Sequence, residues 1–288
     1  MRVQLVCDAD VQPHVRRLHI LTGYRPLKKA QTSWLHSAAN GLFSIHNETL
    51  NVWSHILGVA WALRRFCWLL NLPADAVAPS MPEGMRSSVG LFLLTAIACL
   101  SASVVAHLFA PIISRQPSLA LWRIDSFGIC VLIGGSYLPG LHFGFRCRPF
   151  CRHAYSLSVL LLLLCGACAS ASAETGRPGL VERLRVGSLV ASVAFGLVPL
   201  AHFCLVAPSD EVAIFFPPVM QMFVFYGLGF VFYGSAMPES LQPGLWDLRG
   251  GSHFLWHMCV LAAIASYDNG TQTMLLYHEQ VACQSWPM

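Results

Sequence analysis

The sequence predicts an all-α, polytopic membrane protein with seven transmembrane helices. Hydrophobic residues make up 55% of the 288 residues and charged residues only 11%, whereas a soluble domain carries about 25% charged residues. The mean hydropathy is +0.56. So few charges cannot cover the surface of a water-soluble domain. The net charge of +4 is modest and gives no indication of nucleic-acid binding.

Seven apolar runs are each long enough to cross a bilayer, which takes about 20 helical residues. They cover residues 51–70, 89–109, 124–143, 154–173, 185–206, 211–234 and 253–274. The first run is the least regular, because Arg64 and Arg65 interrupt it. We expect these two side chains to extend toward the headgroups, which predicts a short or tilted first helix.

The runs divide the chain into three expected parts. Residues 1–50 form a cytosolic N-terminal segment, residues 51–274 a transmembrane domain, and residues 275–288 an extracytosolic tail. An amphipathic juxtamembrane helix is expected in the first part, with an ordinary linker as the alternative. The apolar residues that recur there at helical spacing are Trp34, Leu35, Ala38, Leu42 and Ile45.

The distribution of basic residues predicts the orientation. Twelve of the 18 Lys and Arg residues fall on the side of the membrane that carries the N-terminus. Basic residues are enriched in cytosolic loops. We therefore expect a cytosolic N-terminus and, after seven crossings, an extracytosolic C-terminus.

Four ionisable residues lie at the ends of the apolar runs. His107 ends the second run, Asp125 opens the third, and His253 and His257 open the seventh. An ionisable group at such a position is costly and usually has a partner and a function. Counting the crossings between them places all four on the same face of the membrane, which is the cytosolic face in the predicted orientation.

The spacing of the histidines indicates a metal site. His253 and His257 are four residues apart, so both project from one face of a helix, and His107 supplies a third nitrogen. Three histidines with an open fourth position are typical of catalytic zinc. Asp125 is then a candidate base or orienting group for a water molecule, and Ser103, one turn before His107, a candidate oxyanion donor.

Glu48, Asn51 and His55 form one stripe at the start of the first run, on the same side of the membrane. We expect them to brace the metal ligands by hydrogen bonding. The alternatives are a polar network that packs helices without a metal, and haem held by histidine pairs.

Three motifs resemble the signatures of the progestin and adipoQ receptor family. They are Asn47–Gly58, which begins with Asn-Glu-Thr and contains Ser-His, Ser103-x-x-x-His107 followed by Asp125, and Gly251–His257. They occur in order, within a similarity that runs from about residue 22 to 260. The chain particularly resembles the adiponectin-receptor class, which includes a Golgi protein that traps the Raf kinase.

The resemblance implies seven helices, a cytosolic N-terminus and Zn²⁺ bound by His107, His253 and His257, with Asp125 beside the zinc-bound water. It leaves two functions open. One is a zinc-dependent, ceramidase-like hydrolase of lipid amides. The other is a non-catalytic receptor or Golgi tether with structural zinc, whose N-terminal segment binds a cytosolic signalling protein. The Golgi, the endoplasmic reticulum and the plasma membrane are all possible locations.

Cys147, Cys151 and Cys283 are expected on the extracytosolic side, where disulfides persist. A bridge from the third loop to the tail is therefore possible, and the sequence does not say which cysteines it would join.

Overall fold

The computed structural model describes residues 5–29, 31–73, 84–171 and 178–277. Within these ranges the chain is built from α-helices, and an isolated antiparallel bridge joins Val6 to Tyr24. The helices are α1 (Trp34–Phe43), α2 (Thr49–Leu70), α3 (Met85–Phe109), α4 (Arg115–Gly144), α5 (Pro149–Ala171), α6 (Pro178–Phe195), α7 (Leu197–Val206), α8 (Ser209–Ser235) and α9 (Ser252–Leu276).

Five spans of the described chain are long and apolar enough to cross a membrane. They are Met85–Ile112, Arg115–Gly144, Pro149–Cys168, Arg183–Val206 and Ser209–Ser235. Helices α2 and α9 have 22 and 25 residues, or about 33–37 Å of helix, which exceeds the roughly 30 Å of bilayer hydrocarbon. Each of the seven predicted runs therefore coincides with a helical span.

The predicted run 185–206 is divided between two helices, α6 and α7. The break lies at Gly196, three residues before Pro199. Proline has no N–H with which to bond the carbonyl of Phe195, so the regular helical ladder is interrupted there. In contrast, α4 continues through Pro139 and α8 through Pro217 and Pro218.

Helix α1 lies in the segment where an amphipathic helix was expected before the first span. Its apolar residues face outward: Trp34, Leu35 and Phe43 are 57%, 82% and 80% exposed. The opposite face includes Gly41, where a Cβ would lie only 2.4 Å from Leu108 Cδ1. The absence of a side chain thus lets α1 pack closely on the end of α3. Its location at a membrane surface stays a prediction.

Of the two expectations for the first span, a short or a tilted helix, the short helix was wrong, and the tilt stays a prediction. Helix α2 runs without interruption through Arg64 and Arg65. Arg65 Nε donates to Asp268 Oδ2 of α9 at 2.7 Å, and this carboxylate is fully buried. The arginine has an acidic partner within the protein, and it therefore does not have to reach the headgroups.

The described residues form two compact units. The first contains the residues up to Ala60 together with 100–125 and 224–262, and it includes every residue of the predicted site. The second contains 61–99, 126–223 and the described residues from Ala263 onward. Within the second unit the aromatic rings of Phe143, Phe203 and Phe215 pack together, with centroids 5.5–6.3 Å apart.

The cysteines of the third loop differ in state. Cys147 is disulfide-bonded, whereas Cys151 is a free thiol. Cys283, the third cysteine of the prediction, lies outside the described residues, as does most of the predicted tail.

Candidate metal centre

His107 is held at the end of α3 by a buried arginine. The Arg25 guanidinium donates to the His107 carbonyl oxygen at 2.9 Å, and Arg25 is only 3% exposed. A cation is favourable there, because the last carbonyls of a helix are unpaired and carry partial negative charge. Burial lowers the pKa of Arg25 to about 10, so its charge persists at neutral pH.

His253 is held by a capped helix start. The Glu239 carboxylate accepts a hydrogen bond from the backbone N–H of Ser252 at 2.6 Å and another from its hydroxyl. An anion is favourable at the positive end of a helix. Gly251 permits this approach, because a Cβ there would lie 2.6 Å from Glu239 Oε2. The cap thus fixes the turn of α9 that carries His253.

Three histidine side chains meet in the first unit. The ring centroids of His107, His253 and His257 are 4.8–5.0 Å apart. One nitrogen from each ring lies within 4.8 Å of the other two, and His107 Nε2 is 3.2 Å from His253 Nε2. His107 and His257 are buried, whereas His253 is partly exposed. The three side chains could hold a metal ion, and the cluster remains accessible beside His253.

Hydrogen bonds set the tautomers of two of these rings. His107 Nδ1 lies 2.7 Å from Glu48 Oε2; a carboxylate only accepts, so Nδ1 carries the hydrogen. His257 Nδ1 lies 3.2 Å from Ser54 Oγ. The Ser54 hydroxyl donates to the Asn51 carbonyl, and its oxygen therefore accepts from His257. Both rings thus direct a free Nε2 lone pair away from these partners, as metal ligands do.

The Glu48 carboxylate is the acceptor at the centre of this arrangement. Arg17 Nε donates to Oε1 at 2.6 Å and Asn51 Nδ2 to Oε2 at 2.7 Å. Burial alone would raise the pKa of Glu48, but Arg17 and His107 hold it well below its usual value. The carboxylate therefore stays ionised beside His107. Glu48 thus contacts a ligand candidate directly, whereas Asn51 contacts Glu48.

His55 lies behind one of the three histidines. Its ring stacks on that of His257 at 3.7 Å, with 9° between the planes. Both of its nitrogens are buried without a hydrogen-bond partner among the described residues. His55 thus packs against a ligand candidate rather than adding a donor to the cluster.

The two predicted catalytic residues are placed differently. Ser103 is buried on α3, 2% exposed, one turn before His107. Asp125 is partly exposed on α4 and is not a member of the group of mutually close ligand atoms. The roles of Ser103 and Asp125 stay predictions.

Sequence reasoning assigned no role to several residues that organise the site. Ser54 follows the stripe of Glu48 and Asn51, so helical spacing could have found it. His46 stabilises the turn before α2. Its Nδ1 accepts a hydrogen bond from the Glu48 N–H at 3.1 Å, and its Nε2 lies 2.8 Å from the Gly41 carbonyl oxygen. Arg17 lies in a loop without periodicity, and no sequence signal placed it here.

Comparisons with known proteins identify the family. The profile of the family described as haemolysin-III related matches residues 43–267. Heptahelical transmembrane protein 1 of Arabidopsis thaliana is 30% identical over 277 residues, covering 92% of this chain and 79% of the plant protein. Progestin and adipoQ receptor family member 3 of Mus musculus is 26% identical over 274 residues, covering 93% and 85%.

A third relative represents the adiponectin receptors. The adiponectin receptor protein of Drosophila melanogaster is 27% identical over 238 residues, which cover 82% of this chain and 52% of the fly protein. The family profile covers most of the transmembrane region and all three histidines of the cluster. The chain belongs to the haemolysin-III-related family and, within it, to the adiponectin-receptor class of the progestin and adipoQ receptors.

Proposed function

We propose that this protein is a zinc-dependent hydrolase of a lipid amide, with a ceramide-like substrate. The observation that carries the proposal is the cluster of three histidines, two of which have hydrogen-bond partners that leave Nε2 free. The third ring, that of His253, is partly exposed, so a substrate can approach the cluster there. The apolar helices around the cluster favour a substrate with acyl chains.

One pair of the three histidines already has the nitrogen separation of zinc ligands. Two nitrogens bound to one tetrahedral zinc at about 2.0–2.1 Å lie roughly 3.3 Å apart, close to the 3.2 Å between His107 Nε2 and His253 Nε2. The donor set of neutral imidazoles also suits zinc. When bound, zinc supplies Lewis-acid chemistry, since it lowers the pKa of water and polarises a carbonyl group.

The reaction we assign to the site is hydrolysis of the amide bond. The Asp125 carboxylate accepts a proton from the attacking water, whose oxygen adds to the acyl carbon. The Ser103 hydroxyl donates a hydrogen bond to the carbonyl oxygen as negative charge develops there. The C–N bond then breaks and Asp125 returns the proton to the leaving amine. The products are a fatty acid and a sphingoid amine.

Replacing Asp125 by asparagine tests this assignment. We expect fatty-acid release from ceramide by the purified protein to fall by about 10²–10⁴-fold, because the amide cannot accept the proton. The zinc content should not change. The exposed Asp10 is a matched control, and Asp10→Asn should leave the rate unaltered. Equal rates for Asp125→Asn and the wild type would contradict the assignment.

The second candidate is a receptor or scaffold in which the metal is structural. The N-terminal segment favours this function, because it exposes Leu18 and Leu27, which are 74% and 44% exposed, next to basic residues. Such a surface suits a cytosolic signalling protein. A protein that retains zinc, hydrolyses no ceramide and binds a cytosolic partner through this segment would support this second function.

We further propose that the metal centre lies at the cytosolic face of the membrane, whether this membrane belongs to the Golgi, the endoplasmic reticulum or the cell surface. The excess of basic residues on the N-terminal side supports this orientation. The disulfide at Cys147 supports it as well, since disulfides persist on the extracytosolic side and α4 separates Cys147 from His107.

The exposed free thiol of Cys7 allows the orientation to be tested. With an impermeant maleimide we expect Cys7 to be labelled in cells whose plasma membrane alone has been permeabilised. The signal should be lost in Cys7→Ser, which identifies it among the other thiols. Labelling in intact cells, or only after internal membranes are dissolved, would show the opposite orientation.

A further inference from the structure

The residue that joins the N-terminal segment to the metal centre is Arg17. Its guanidinium donates to Glu48 Oε1, while Glu48 Oε2 contacts His107 Nδ1. The side chains become progressively more buried along this series: Arg17 is 26% exposed, Glu48 3% and His107 0%. Arg17 is therefore the end of the series that reaches solvent.

Arg17 contacts a second neighbour of the same histidine. Its guanidinium lies over the Trp122 ring, 5.5 Å from the centroid. Trp122 in turn packs edge-on against His107, with centroids 5.1 Å apart and 80° between the planes. One side chain thus holds both the hydrogen-bond acceptor and an aromatic wall of His107, an arrangement that a planar guanidinium suits better than an ammonium group.

The backbone around Arg17 is anchored to the buried part of the protein. The Arg17 N–H donates to the Tyr24 hydroxyl at 2.9 Å, and Tyr24 is 1% exposed. The adjoining Thr22 donates through its N–H and its hydroxyl to Asp247 Oδ2, each at 2.7 Å. The position of Arg17 over Glu48 is therefore imposed by the fold of the segment.

We propose that Arg17 is a positioning residue, which holds the Glu48 carboxylate against His107 and so determines how tightly the site retains its metal. A ligand histidine depends on the acceptor of its other N–H for its orientation. Without Arg17, Glu48 Oε1 loses its charged partner, and no second side chain of the described residues donates to that oxygen. The proposal rests on the metal site of the proposed function and is independent of whether the protein hydrolyses ceramide.

The test is the release of zinc from the purified full-length protein to a chelating dye. We expect Arg17→Gln to weaken zinc retention by about 10-fold, the lower end of the range for the loss of a ligand's own hydrogen-bond partner, because Arg17 bonds Glu48 and not the histidine. The adjacent Arg16 is the matched control. It is exposed and, among the described residues, donates to the backbone carbonyls of Ala9 and Val11 alone, so Arg16→Gln should retain zinc like the wild type.

Two further variants separate positioning from a general effect on folding. Arg17→Lys should restore part of the retention, since the charge returns without the planar contact to Trp122. Glu48→Gln should weaken retention, and adding Arg17→Gln should then cause a smaller loss than it causes alone, because the part of its effect that acts through Glu48 is already gone. Additive losses in the double variant, or wild-type retention in Arg17→Gln, would overturn the proposal. A wild-type protein without zinc would refute the metal site itself, whereas absent ceramide turnover would refute only the hydrolase.

Discussion

Replacing His257 by alanine should abolish stoichiometric zinc binding. The wild-type protein, purified without chelators, is expected to carry about one zinc per chain, the content of a single three-histidine site. His257 is one of the three ligand candidates and is almost fully buried, at 2% exposure. Its removal takes away one of the three nitrogens that would bind the ion. The loss of affinity should exceed the roughly 100-fold that the loss of an outer partner can cause.

Elemental analysis of matched variants checks this expectation. His36 lies exposed on α1, so His36→Ala should keep the full zinc content and a wild-type thermal midpoint. The 3.2 Å contact between His107 and His253 would also suit a hydrogen bond between two imidazoles. A wild-type protein that is folded but free of zinc would favour that polar network and refute the metal site.

Replacing Arg65 by alanine should destabilise the protein severely. The substitution leaves the Asp268 carboxylate, which is fully buried, with the Gln272 amide, 2.7 Å away, as its remaining side-chain partner among the described residues. Removing one partner of a buried ion pair costs about 3–5 kcal/mol. We expect a large fall in the thermal unfolding midpoint of the purified protein in detergent.

The adjacent Arg64 provides the control for this effect. It is exposed, so Arg64→Ala should change the free energy of unfolding by less than about 0.5 kcal/mol. The double substitution Arg65→Leu with Asp268→Leu should recover most of the stability, since an apolar pair can replace a buried ion pair at little cost. Equal effects of Arg64→Ala and Arg65→Ala would contradict the assigned contact.

Much of the site was predictable because it depends on regular periodicities. The four-residue spacing of His253 and His257 determines that both project from one face of α9. The number of crossings then determines which helix ends share a membrane face. From this count we expected His107 on the same face as His253 and His257. The stripe of Glu48 and Asn51 followed from the same helical repeat. None of these inferences requires knowledge of how the helices pack.

Contacts between distant segments could not be predicted in this way. Hydropathy suggested that Arg64 and Arg65 would behave alike, yet only Arg65 is paired with Asp268, which is 203 residues away. Likewise, two adjacent arginines in the N-terminal segment differ, because Arg17 reaches Glu48 while Arg16 bonds only to nearby carbonyls. Which arginine is paired depends on how each segment is rotated and how deeply it is buried. Neither property produces a periodic pattern in the sequence.

The sequence by itself determined the all-helical membrane fold, the positions of the spans and the three histidines at one membrane face. These follow from the length of apolar runs and from the repeat of the helix, which are local properties. Only the tertiary structure decided which hydrogen-bond partners set the tautomers of His107 and His257, and that Arg17 reaches the site. Those features arise where segments far apart in sequence are packed together, because a buried charge or N–H must find its partner across helices.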